Sequence, residues 1–313
     1  MQDLYGRKIT YLRISITDRC NLRCRYCMPE EGIIKCSHSD ICSFEELRDI
    51  AEAAVLCGIE KIRITGGEPL VRAGVADFCR MLKKINGLRE LCLTTNGSLL
   101  TDLAGELFDA GVDRLNISLD TLRPDRYTAI TRTGSLSSVL QGIKAAEQAG
   151  FQNIKLNCVL LGGINDDEIA DFVALTQEHP YQVRFIERMP MGCGASFGRS
   201  IPAKKVLETC PSLVRLDHEG VASLYKLPDA RGTVGLITPL SHDFCHECSR
   251  LRLTADGHLK PCLHSDLEIQ LRGLHGASLT EAICRGIKAK PKQHHLNSAG
   301  ITKTHRTMNR IGG

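Results

Sequence analysis

Between residue 11 and about residue 190, short runs rich in aliphatic and β-branched residues alternate with longer stretches whose apolar positions recur every three or four residues. The short runs, 11–16, 61–65, 90–94, 114–119, 154–161 and 182–187, have strand length and end in polar or glycine-bearing turns. Helices fit between most of them. Ser43-Phe-Glu-Glu46 is a capping box opening a helix that stops at Gly58; a second opens at Thr101 and stops at Gly111, and a third stops at Gly150. The pattern predicts about six βα units, two short of a closed eight-stranded barrel, and therefore an α/β fold built on a partial, open (β/α)6 barrel of the TIM type. No sequence repeat is visible.

Strands buried on both faces read as nearly continuous apolar runs. Several of these do not. Arg13 and Ser15 alternate with Leu12, Ile14 and Ile16, Arg63 and Thr65 with Ile62 and Ile64, Asn116, Ser118 and Asp120 with Leu115, Ile117 and Leu119, and Lys155 and Asn157 with Leu156 and Cys158. Helices cover the outer face with apolar contacts, so the polar set faces inward. The expected interior is a wet, cationic pocket in which Arg13, Arg63 and Lys155 converge on one polyanion; the alternative is that each cation pairs with a local carboxylate.

After residue 190 the pattern loosens into turns such as Met189-Pro-Met-Gly-Cys-Gly194, and from about 221 short β-type runs lead to a helical segment near 278–287. The chain divides accordingly into a barrel over 1–220 and a C-terminal extension over 221–313.

The chain has 313 residues, 42% hydrophobic, enough for a sizeable core. It carries no apolar run of membrane-spanning length and no apolar leader, which excludes a membrane span and standard secretion and favours the cytoplasm. Aromatic residues are 4% with no Trp, which disfavours a surface that stacks many bases. The net charge is +4, but residues 285–313 carry seven Lys and Arg and no Asp or Glu, forming a basic arm that is either a solvated tail or an anion-binding segment.

Fifteen cysteines in a chain without a secretion signal point to reduced thiols. Nine stand singly (Cys36, Cys42, Cys57, Cys79, Cys92, Cys158, Cys193, Cys210 and Cys284) and read as small buried apolar residues. The other six form two triplets. Cys20-x3-Cys24-x2-Cys27 follows the first strand, at the barrel end where active sites sit. Three thiolates on one loop can hold three corners of a 4Fe-4S cluster and leave the fourth iron open; structural zinc wants four ligands, and no fourth lies within the motif. Cys245-x2-Cys248-x13-Cys262 is again three. Here His242, His246 or His264 could complete a zinc site, and spacing alone leaves zinc and iron–sulfur equally open. Arg250-Leu-Arg252, one residue beyond Cys248, tips the balance toward a cluster beside an anionic or electron-rich ligand.

The first triplet, with Tyr26 before its last cysteine, resembles the signature of the radical S-adenosylmethionine (SAM) superfamily, and Gly66-Gly67-Glu68-Pro69 after the second strand agrees. In that superfamily the open iron chelates SAM, and one electron releases a 5′-deoxyadenosyl radical. Both triplets and the ending Arg310-Ile-Gly312-Gly313 make the chain similar, from Arg13 to its end, to the branch that cyclises GTP at the start of molybdenum cofactor biosynthesis. Thr94-Thr-Asn-Gly97, Asn116-Ile-Ser-Leu-Asp-Thr-Leu122, Ile130-Thr-Arg-Thr-Gly134, Asn165-Asp166 and Arg184-Phe-Ile-Glu187 match too. Ser249, where Asn is expected, and His264, where Phe is usual, depart from the pattern, and His264 keeps zinc open.

The resemblance implies two 4Fe-4S clusters, one on Cys20, Cys24 and Cys27 with SAM, the other on Cys245, Cys248 and Cys262 with the substrate. It implies SAM contacts from Tyr26, Gly67, Ser118 and Met189, and GTP contacts from Arg13, Arg63, Thr94, Lys155, Arg250, Leu251 and Arg252. Arg250, Arg252, Gly312 and Gly313 are the implied catalytic set, the diglycine entering the active site. A lyase-type reaction, an electron donor, a downstream cyclic pyranopterin monophosphate synthase and no nucleic-acid partner follow, and a homodimer is compatible. Two other readings compete: a radical SAM enzyme acting on a peptide, which usually has more C-terminal cysteines, and a zinc- and RNA-binding protein, which leaves Gly66–Pro69 and the inward cations without a role.

Overall fold

The computed structural model describes the chain except residues 33–36, 190–196, 242–243, 295–301, 303 and 313, and the side chain of His38. Among the described residues twelve strands form one sheet: β1 (Tyr11–Ser15), β2 (Lys61–Thr65), β3 (Glu90–Thr95), β4 (Arg114–Ser118), β5 (Ile154–Leu160), β6 (Gln182–Glu187), β7 (Val214–Glu219), β8 (Ala222–Lys226), β9 (Thr233–Ile237), β10 (Arg250–Leu253), β11 (His258–Lys260) and β12 (Ile269–Gln270). The α-helices are α1 (Phe44–Leu56), α2 (Val75–Lys83), α3 (Leu100–Asp109), α4 (Pro124–Thr131), α5 (Leu136–Ala149), α6 (Ile169–Glu178), α7 (Lys205–Thr209), α8 (Gly276–Lys288) and α9 (Met308–Ile311).

The six expected strands are present, within a residue or so at each end, and run parallel in chain order from β1 to β6. The capping box holds: Glu46 N donates to Ser43 Oγ at 3.1 Å and Ser43 N to Glu46 Oε2 at 2.7 Å. The C-terminal region does more than follow the barrel, because β10 adds in parallel beside β1 and β9 in parallel beside β6. Eight parallel strands result, and the sheet stays open, ending at β12 and β7. Residue 220 falls in the β7–β8 turn, and the sheet runs through both regions.

Leu12, Ile14, Ile62, Ile64, Leu91, Leu93, Leu115 and Ile117 are fully buried in the core between sheet and helices, each burial stabilising the fold by about 1.5–3 kcal/mol. Cys42, Cys57, Cys79, Cys92 and Cys158 are buried as expected, Cys210 and Cys284 half-buried, and Cys36 and Cys193 lie outside the described residues. The arm beyond residue 285 packs against the protein at several points, Lys290 and Arg306 among them. Lys290 Nζ, 3% exposed, donates to the carbonyls of Arg250 (2.8 Å) and Pro261 (2.9 Å), and Arg306 pairs with Asp256 (2.9 Å) and Glu268 (2.7 Å). Among the described residues no helix is long and apolar enough to cross a membrane.

Candidate active site

Strand alternation puts the polar residues of β1 to β6 on one inner face, and strand register aligns them. Arg252 of β10 pairs with Arg13 of β1, which pairs with Arg63 of β2, so three guanidiniums stand in one row across neighbouring strands. Strands lie about 4.8 Å apart, and like charges directly opposite repel. Burial, then the neighbouring Arg252 and Arg63 among others, pulls Arg13 well below its ordinary value. Burial and the charge of Arg250 bring Arg252 down to about 10. Tyr11 lies below this row: Arg63 Nε donates to its hydroxyl at 2.5 Å, and although burial opposes ionisation, Arg63, Arg13 and Arg250 bring the phenol down to about 8.

The row walls a cavity of about 580 Å³, within the range of small-molecule sites. Arg13, Arg63, Thr94, Arg250, Arg252, Tyr26, Gly67, Ser118, Met189 and all six triplet cysteines line it. The first triplet follows the C-terminal end of β1, whereas Ser249, next to Cys248, accepts hydrogen bonds from the N–H groups of Thr10 and Tyr11 at its N-terminal end. The two triplets therefore sit at opposite ends of β1, on the order of 15 Å apart.

Burial pushes the Cys20 thiol up to about 11, and Cys24 is raised by burial and then by Cys27, so the thiols of this loop sense one another. Such a set favours an electropositive centre that takes thiolates. In the second triplet, burial opposes ionisation of Cys248, yet Lys290 and Arg250 hold its thiol below the ordinary value, and Arg252 feels the charges of Cys262 and Cys248. His264 is buried, pulled down to about 4 by burial and by His294, and its Nδ1 lies 3.2 Å from Thr302 Oγ1. Among the described residues no three Cys, His, Asp or Glu side chains gather as a single metal ion requires; His242 lies outside them.

Gly66 and Gly67 are needed for backbone approach. A Cβ on Gly67 would stand 2.4 Å from the Arg19 carbonyl oxygen and one on Gly66 2.8 Å from that of Thr17, so the pair packs against the cysteine loop itself. Glu68 is 1% exposed and accepts from Asn96 N (2.6 Å), Thr95 Oγ1 (2.8 Å) and Leu70 N (3.0 Å); burial nonetheless raises it to about 7. Tyr26 donates to Asp120 Oδ2 at 2.6 Å.

Three expected site residues are placed differently. Leu251 is fully buried in the core because it points to the opposite face of β10 from Arg250 and Arg252. Lys155 does not line the cavity: its Nζ is 2.7 and 2.8 Å from the two oxygens of Glu219, which does. Gly312 lies beside the cavity, and its carbonyl oxygen accepts from Arg252; Gly313 lies outside the described residues. Several charged or polar lining residues were given no site role from sequence, among them Tyr11, Arg114, Arg184 and Glu219. Arg184 alternates with Val183 and Phe185 as Arg13 does with its neighbours and was open to the same inference; Glu219 carries no such signal.

Residues 14–176 match the Radical SAM superfamily model and residues 181–296 the model described as Molybdenum Cofactor Synthesis C. Among solved structures, Streptococcus suis SuiB bound to S-adenosylmethionine shares the fold, with a TM-score of 0.64 at 14% identity over 88% of this chain and 64% of that one. Fold and cysteine loop thus define a radical SAM protein. Among curated relatives, the GTP 3′,8-cyclase of Peptoclostridium acidaminophilum is 53% identical over 99% of this chain and 98% of its own length, and that of Moorella thermoacetica 48% identical over the whole of both. The chain belongs to the GTP 3′,8-cyclase family of the radical SAM superfamily.

Proposed function

We propose that the cavity binds GTP between two 4Fe-4S clusters and that the protein is a lyase-type GTP 3′,8-cyclase, forming 3′,8-cyclo-7,8-dihydro-GTP in the first step of molybdenum cofactor biosynthesis. The observation that carries this is the row Arg252, Arg13, Arg63, three aligned like charges that suit a polyanion, on the wall of a cavity that both cysteine triplets line. Cys20, Cys24 and Cys27 would hold the cluster that binds SAM, and Cys245, Cys248 and Cys262 the one that meets the purine. When bound, the first cluster and SAM supply the radical that removes the ribose H3′, and the second supports the closing electron transfer.

The chain's own residues position and shield. Tyr26, Gly67, Ser118 and Met189 line the SAM side. Arg13, Arg63, Thr94 and Lys155 hold the triphosphate through charge-assisted hydrogen bonds, which suit phosphate oxygens. Arg250 and Arg252 flank the purine, with Leu251 contributing backbone alone. Gly312 and Gly313 bring the tail beside the reacting atoms, where Arg252 fixes it, and a narrow approach of this kind excludes water. Residues 1–220 carry the SAM chemistry and 221–313 the second cluster and the tail. An electron donor, a downstream cyclic pyranopterin monophosphate synthase and a cytoplasmic setting accompany this reading, and a homodimer is compatible with it.

Equilibrium binding to iron- and sulfide-reconstituted protein tests the substrate. GTP is expected to bind at least tenfold more tightly than ATP, and equal binding of the two would remove the assignment.

A further inference from the structure

Donors from three neighbouring strands converge on one carboxylate that belongs to none of them. Glu219 ends β7 at the turn of the β7–β8 hairpin. It accepts from Lys155 Nζ of β5 at 2.7 and 2.8 Å, Arg114 Nη1 of β4 at 2.7 Å and Gln182 Nε2 of β6 at 3.0 Å, and Arg184 Nη2 of β6 stands 3.6 Å away. The only other carboxylate paired with these cations among the described residues is Glu90, 3.2 Å from Arg114 and shared with Lys61.

The cations are built in and the carboxylate is not. The Lys155 side chain is 6% exposed, that of Glu219 40%. The strand that carries Glu219 is an edge of the sheet and exposed from Val214 to His218, its ladder to β8 slips between Arg215 and His218, and Gly220 at the turn has open space around it. Little packing holds the hairpin tip down, and an element of this kind opens at low cost. Glu219, Gly220 and Val221 all line the cavity, so the carboxylate stands between the solvent space and Lys155.

We propose that Glu219 is a specificity-determining residue: in the empty protein it fills an anion subsite made by Arg114, Lys155 and Arg184, and the terminal phosphates of the substrate displace it. The inference rests on the GTP reading above. A carboxylate offers two oxygens to four donor groups, and a polyphosphate offers more oxygens and more charge, so it wins the exchange. A ligand with one phosphate or none cannot, and the hairpin stays closed against it. Discrimination between GTP and GMP then comes from a competitor the protein carries itself.

The test titrates the cluster-loaded protein and its Glu219→Gln variant with inorganic tripolyphosphate, GTP and GMP. Displacement predicts that the variant binds tripolyphosphate and GTP about tenfold more tightly than the parent, with GMP unchanged; equal or weaker tripolyphosphate binding by the variant overturns it. Hydrogen exchange across 214–226 in the unaltered protein keeps the proposal open to failure should the variant not fold. Saturating tripolyphosphate must speed exchange there, and slowed or unchanged exchange contradicts displacement. If tripolyphosphate opens the hairpin but GTP does not bind, the subsite stands and the GTP reading fails. If GTP binds both proteins equally and the hairpin does not respond, the GTP reading stands and the displacement fails.

Discussion

The guanidinium of Arg252, 7% exposed on the inner face of β10, donates to the backbone oxygen of Gly312, sixty positions later in the chain. That bond ties the tail to the wall of the cavity. Gly312 has φ 84°, which side chains rarely adopt, and a Cβ there would run into the Thr65 hydroxyl, so any other residue strains the backbone and displaces that side chain or the tail. Gly312→Ala is expected to lower turnover by about 100-fold, as misplacement near 1 Å does, while iron content and GTP affinity stay near normal. Deleting Gly312 and Gly313 should act alike, with part of the activity restored by a synthetic peptide of the last residues in excess. Full activity in the truncated protein would make the tail dispensable.

Arg306 tests how the tail is held. It bridges Asp256 and Glu268, at 2.9 and 2.7 Å, from a half-buried position. Arg306→Ala leaves Glu268 to Lys260 and Asp256 to Thr254 and His258, and should cost about 1 kcal/mol, the upper end for a partly exposed pair. Chemical denaturation measures this, and limited proteolysis should cut the tail of the variant first.

Metal content separates the two fates of the second triplet. With two cubic clusters the reconstituted protein should carry roughly eight irons and no stoichiometric zinc. Cys24→Ser should abolish SAM cleavage and leave the second cluster in place. One zinc with about four irons per chain would mean that Cys245, Cys248 and Cys262 hold zinc.

Lys155 and Tyr11 give GTP binding a pH dependence of known sign. Burial, then the charge of Arg184, pulls Lys155 down to about 7 against the hydrogen bond to Glu219, whose carboxyl is held well below the usual range by Lys155 and Gln182 despite its own burial. Tyr11 titrates near 8, and Arg184, brought down to about 10 by burial, stays charged below that. A bound triphosphate favours the Lys155 ammonium, so binding takes up a proton above pH 7, and the Tyr11 phenolate opposes the anion over the same range. Affinity should fall about tenfold from pH 7.5 to 9. Lys155→Ala should weaken GTP by roughly 10- to 100-fold at pH 7.5, leave guanosine and SAM little changed, and flatten the profile; Tyr11→Phe should remove the remaining slope. Equal losses for GTP and guanosine would make Lys155 a brace of the barrel.

The barrel strands and their inward cations were legible because alternation has period two and each strand reports its own faces. Arg13 and Arg63 needed nothing more. That Arg252 joins their row depends on β10 pairing with β1 across more than 230 residues, which no local pattern encodes, although Arg250 and Arg252 themselves were visible beside Cys248. Leu251 shows the converse: its side chain belongs to the core, and only strand alternation separates it from Arg250 and Arg252. Glu219 sits in an exposed strand and reads as an ordinary surface acid; only the fold brings it to Lys155.

Product analysis tests the central claim most directly. Reconstituted protein is given SAM and dithionite without oxygen, together with GTP, ATP or a peptide, and 5′-deoxyadenosine is measured alongside a cyclised nucleotide. Equal amounts of the two are expected with GTP and only background with ATP or peptide. Deoxyadenosine released alike with all three, or with GTP but without a cyclised product, would contradict a GTP cyclase.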